Sequence, residues 1–145
     1  MSVTTGTAIG EMSEFIAGGT PPAGARERAA VAVCDTIGVM LAGAPEAAAR
    51  IARTVAAAGA NGPCRILGTS ATAGAGDAAL ANGVAAHALD FDDMCFVSLA
   101  HPSCALVPAA IAAAELTAAG GRALLDGLAS ALIQDVAAWR AGDPA

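Results

Sequence analysis

Residues 45–59 read "PEAAARIARTVAAAG", and alanine-dominated runs of this kind, bounded by glycine or proline, recur through most of the chain. Alanine loses no side-chain entropy on entering a helix and is the best helix former, so these runs favour one secondary structure. The chain is 56% hydrophobic but only 3% aromatic, so alanine carries the apolar total. Helices that meet through such small side chains can pack closely. With 145 residues there is room for one domain with a real core and not for two ordinary ones. The expectation is an all-α fold, a compact bundle of about six helices.

The punctuation places them. Met12, Phe15 and Ile16 fall at helical spacing within residues 8–17, and Gly18-Gly19 ends that segment. Thr20 is a candidate N-cap for a second helix, followed by Pro21 and Pro22 and running to Gly43. Met12, Phe15 and Met40 are read as core residues on these faces. Pro45 opens a third helix, with Glu46 at its positive end. "CRILG", 64–68, is short and framed by glycine and proline, so it reads as an irregular or short extended connection. A fourth helix is expected from Asp77 through "DAALANGVAAHALDFDD", then a loop from about 94 to 102. A fifth helix follows with Ser103 as its cap, and a last one runs over about 123–141.

Several functions are excluded early. A net charge of −6 and scattered arginines argue against binding nucleic acid. The longest stretch without charge, 94–114, contains His101 and two prolines and has acidic flanks, so no membrane span is expected. The first residues lack a basic region and carry Glu11 and Glu14, unlike a signal peptide, so a soluble cytoplasmic protein is expected. Cys34, Cys64, Cys95 and Cys104 show no CxxC spacing and read as buried thiols. "GTSATAGAG" lacks the GxGxxG order, so a nucleotide cofactor is not expected.

One stretch stands apart. "HALDFDDMCFVSLAHPS", 87–103, holds both histidines and three carboxylates. If the fourth helix runs through it, His87, Asp90 and Asp93 share a face, and His101 returns across the loop. Asp92 then points elsewhere, toward solvent or a cap. Close carboxylates raise one another's pKa, and a histidine can exchange protons near neutrality, so these are the parts of a general acid/base site. A capped helix end followed by an ordinary His–Pro turn is the bland alternative. A metal site with His87, Asp90, Asp93 and His101 as N/O ligands is another, but the spacing matches no established metal motif.

"HALDFDD" followed by "HPS" and an alanine-rich helix resembles the signature of the MmgE/PrpD family. "ARERAAVAVCDTIGVMLAGA", "ILGTSATAGAGDAALANGVAAHALDFDD" and "HPSCALVPAAIAAAE" are similar to its successive helices, in order, over roughly residues 8–130. The family includes 2-methylcitrate dehydratases and cis-aconitate decarboxylases. The resemblance implies the N-terminal part of the family's helical domain, and lyase chemistry on small polycarboxylates without metal or cofactor. It makes Asp90 and His101 catalytic, with His87, Asp93 and Ser103 contacting substrate, and it implies assembly as a homo-oligomer or with a partner chain.

The sequence also departs from the pattern. Met94 stands where family members often have threonine, the loop "MCFVSLA" is apolar, and Ser98 is the nearest hydroxyl that could substitute. All seven basic residues are arginines and none lies near the cluster in sequence, although polycarboxylates need cations. After about Leu128 the resemblance fades. A truncated domain, inactive alone, is therefore one expectation, and a non-catalytic helical interaction module is the alternative.

Overall fold

The computed structural model describes residues 7–59, 61–96 and 99–142, with side chains described throughout these except at 8, 9 and 134–142. Six helices account for most of them: α1 (Ala8–Gly18), α2 (Ala25–Gly43), α3 (Ala47–Ala58), α4 (Ala75–His87), α5 (Pro102–Thr117) and α6 (Gly121–Gly142). The fold is all-α, as the alanine runs dictate. The "CRILG" connection is a two-residue strand, β1 (Cys64–Arg65), paired antiparallel with β2 (Thr72–Ala73). Asn82 ties this hairpin to α4: its amide donates to the Arg65 carbonyl at 2.9 Å and its oxygen accepts from the Leu67 N–H at 2.9 Å. Both functions of a buried side chain are thereby satisfied.

α4 is the central helix, packed against α2, α3 and α5, while α6 closes the far side against α1, α2 and α5. Small side chains make this possible. A Cβ on Gly43 of α2 would lie 2.1 Å from the Ala85 carbonyl oxygen of α4. A Cβ on Gly83 of α4 would meet the Cys104 carbonyl oxygen of α5 at 2.9 Å. That carbonyl is exposed to its neighbour because Pro108, four residues on, has no N–H to offer it. α4 is thus held between two backbones by two glycines. The larger side chains fill the layer behind it, where Met40, Val107 and Leu128 are buried and each contributes roughly 1.5–3 kcal/mol through burial.

Four expectations about details need correction. α2 starts from Gly24, whose φ of +80° suits only glycine, so Thr20 is not its cap. α4 ends at His87 and not at Asp93, because Asp90 takes a left-handed φ of +55° that stops the helix. Met40 is buried, but Met12 and Phe15 are 36% and 42% exposed, since the main neighbour of α1 among the described residues is α6. Cys64 is buried, whereas Cys34 is exposed and Cys95 and Cys104 are half-buried. No single described helix is long and apolar enough to cross a membrane; α2 and α3 meet that standard only as a pair bent by 95°.

Candidate active site

His87 is the last residue of α4, and His101 stands immediately before the first turn of α5. Between them the chain reverses twice. The Asp90 N–H closes a turn onto the His87 carbonyl at 3.1 Å, and the left-handed backbone at Asp90 redirects the chain beneath α4. Aspartate accepts that conformation better than most residues. The Cys95 N–H then bonds the Ala100 carbonyl at 2.8 Å, closing the loop that delivers His101. Ser98 lies outside the described residues. The two imidazole rings meet edge to face with centroids 4.8 Å apart.

The group beneath them is Asp92. Its side chain is wholly buried, and its oxygens lie 3.0 and 3.1 Å from Nδ1 of His87. Nδ1 of His101 stands 3.3 Å from Oδ2, out of line for a hydrogen bond, and that nitrogen is buried without another partner. The expectation that Asp92 faces solvent or a cap is therefore wrong. It rested on continuing α4 through residue 93, and once the helix stops at 87 the three-and-four spacing no longer applies. Nothing in the spacing of "DFDD" distinguishes its second aspartate; only the reversal at Asp90 does.

Burial works to raise the Asp92 pKa, but the hydrogen bond from His87, the Cys104 thiol, its own backbone N–H and the charge of His87 outweigh that effect and hold it below the usual value. The same carboxylate affects Cys104. Burial first, then the hydrogen bond to Asp92 and the negative charges of Asp92 and Asp93, push that thiol up to about 12. Its single proton also reaches the His101 carbonyl, at 3.1 Å.

Asp90 remains at the site but in the open. Its side chain is 78% exposed, and Oδ1 is 3.9 Å from Nε2 of His101, which is within ion-pair range and too long for a hydrogen bond. Asp93 is turned to another task. Its carboxylate accepts from the Ser103 N–H at 3.0 Å and the Ser103 hydroxyl at 2.7 Å, so it caps α5. Ser103, expected to be the cap, is instead the residue being capped. The structure thus brings His87, Asp90, Asp92 and His101 together and binds Asp93 and Ser103 to each other.

A metal reading changes accordingly. One ligand atom from each of His87, Asp90, Asp92 and His101 lies within 4.8 Å of the others, with Asp92 in the place expected for Asp93. N/O ligands about 2.1 Å from one ion cannot be more than about 4.2 Å apart, so the set would have to contract. The proton linking His87 to Asp92 would also have to leave.

A domain of close-packed small-residue helices, with two histidines gathered over a buried carboxylate at the junction of two helix ends, is the class these features define. The family model described as the MmgE/PrpD N-terminal domain matches residues 11–137, a span that extends past Leu128, and the chain belongs to the MmgE/PrpD family. No curated protein matches the chain significantly.

Proposed function

We propose that this domain supplies the proton-handling part of a cytoplasmic lyase site that removes water or carbon dioxide from a small polycarboxylate such as 2-methylcitrate or cis-aconitate. The observation that carries the reading is the facing of His101 and Asp90: an imidazole nitrogen, 3.9 Å from an exposed carboxylate, on a histidine otherwise held over a buried one. In dehydration, a C–H bond next to a carboxylate breaks, its electron pair forms the new double bond, and hydroxide leaves from the adjacent carbon. An imidazole that takes the carbon-bound proton, and an acid that protonates the departing hydroxide to water, meet those needs. In decarboxylation the C–C bond to the departing carboxylate breaks, and the same imidazole, protonated, returns a proton to carbon. His101 takes the proton-transfer role in either case, with Asp90 orienting it or the substrate. His87 reaches substrate from the other ring. Asp93 and Ser103 act indirectly, by fixing the start of α5.

Among the described residues, no arginine pairs with Asp90, Asp92 or Asp93; the arginine ion pairs join Arg26 to Asp126 and Arg65 to Glu115. We propose that cations for a polycarboxylate are brought to the site by association, with a second copy or a partner. Turnover of 2-methylcitrate and cis-aconitate by the purified chain, alone and with a partner, tests the reading. His101→Ala is expected to lower turnover by on the order of 10²-fold or more, and full activity in that variant refutes the assignment. One feature favours a second reading, a non-catalytic interaction module: Phe91, Phe96 and Leu99 are 73%, 80% and 74% exposed on the loop beside the site. Association that persists in His101→Ala, with no turnover in any mixture, selects it.

A further inference from the structure

We infer that Asp92 is a positioning residue that fixes both histidines in the Nδ1–H tautomer and so leaves Nε2 of His101 as the nitrogen that handles the proton. The inference rests on the lyase reading for its catalytic consequence but not for its structural content.

The geometry is specific. An ionised carboxylate has only acceptors, so an imidazole nitrogen buried in contact with it, where no water can intervene, must carry the hydrogen. Asp92 lies on the Nδ1 side of both rings, at 3.0 and 3.1 Å from His87 and 3.3 Å from His101. Its side chain is wholly buried, so water cannot take over the role. Nδ1 of His101 is buried too and has no other partner. Leaving that nitrogen bare would set a lone pair against the carboxylate. Placing the hydrogen there turns the same contact into an attraction that a small ring rotation completes as a hydrogen bond. Each ring then has its lone pair at Nε2. On His101 that nitrogen lies 3.9 Å from Asp90, beyond hydrogen-bond distance of a carboxylate that is largely solvated, so no hydrogen is required there. On His87, whose side chain is 52% exposed, it belongs to a ring bordering an apolar groove of about 620 Å³ formed by residues including Leu80, Val84 and Ala105.

Three features hold Asp92 in this position: the left-handed turn at Asp90, the Cys104 thiol against its carboxylate, and Asp93, the next residue, anchored on Ser103. A carboxylate fixed from so many sides can orient two rings without itself meeting substrate. Such a residue acts through the histidines and is expected to affect turnover more than substrate binding.

Imidazole ¹⁵N spectra of the full chain test this directly, because a bare ring nitrogen and a protonated one resonate far apart. Recorded well above the ordinary imidazole midpoint of about 6.5, the unsubstituted protein should show Nδ1 protonated and Nε2 bare on both rings. Asp92→Asn, whose amide can donate as well as accept, should move His101 toward the Nε2–H or a mixed form. In the active assembly the same variant should lower kcat by on the order of 10²- to 10⁴-fold with KM little changed, the upper end being that of a carboxylate-oriented catalytic histidine. Nε2–H on His101 in the unsubstituted protein overturns the inference, as does an Asp92→Asn protein that is folded by circular dichroism with unmoved ring signals. Should Asp92→Asn fail to fold, the unsubstituted spectrum decides alone. Loss of the lyase reading, through a fully active His101→Ala, leaves the tautomer result standing, so the two failures are distinguishable.

Discussion

The same substitution at two positions of α2 should have opposite effects, and the geometry of the small-residue packing fixes the sign of each. Gly38 lies inside the helix with nothing within 4 Å of a would-be Cβ. Alanine there restricts the unfolded chain and improves helix propensity, for a gain of about 1 kcal/mol. Gly43 ends the same helix, where a Cβ would fall 2.1 Å from the Ala85 oxygen and 3.2 Å from the Ala85 carbonyl carbon. Ordinary carbon–oxygen contacts are about 3.3 Å or longer, so α2 and α4 would have to part by roughly 1 Å. The obstacle is backbone, which cannot rotate aside as a side chain can. Overpacking of this kind costs about 1–3 kcal/mol, which exceeds the small propensity gain at a helix end. Gly38→Ala and Gly43→Ala should therefore differ by about 2–4 kcal/mol. Urea unfolding followed by circular dichroism reads this as a midpoint shift of about 1–2 M between the variants, for a slope near 2 kcal/mol per molar. Because Ala85 is two residues before His87, Gly43→Ala should also disturb the ring signals of His87, which Gly38→Ala should leave alone. Equal midpoints, or a stabilised Gly43→Ala, would refute the claim that glycine sets the α2–α4 distance.

Three further outcomes follow from the site. Asp93→Ala removes both bonds to Ser103 and should cost about 1–2 kcal/mol as a lost helix cap, with hydrogen exchange accelerating in the first turn of α5 and not in α2. Asp92 has a folded pKa below its unfolded one, so the stability it adds is present above the unfolded value, about 3.9, and fades as pH falls through the folded value. The difference in urea midpoint between the unsubstituted protein and Asp92→Asn should thus shrink as pH falls from about 5 to below about 4; a difference that does not shrink over that range contradicts the assignment. Cys104, its thiol pushed up to about 12, should resist iodoacetamide at pH 8 while exposed Cys34 is alkylated, as mass spectrometry of the modified chain can show.

The alanine runs and their glycine and proline boundaries determined the helices, because propensity and chain reversal are local properties that a sequence displays directly. They determined as well that His87, Asp90 and His101 would gather, since a helix end and a returning loop bring near neighbours in sequence near in space. Which aspartate of "DFDD" is buried was decided elsewhere. A single left-handed residue at Asp90 ends α4 six residues early for the helical reading, and the period used to sort the carboxylates ends with it. Asp92 is then directed inward and Asp93 toward Ser103, a division that depends on α5 lying close enough to receive both. The closeness comes from Gly83, whose missing side chain matters only against the particular backbone it faces. Met12 and Phe15 show the same division from the other side: their spacing gave them an apolar face, but only the packing of α1 mainly on α6 determined that the face stays partly open. Local chemistry chose the elements, and contacts between distant backbones chose which carboxylate the histidines would share.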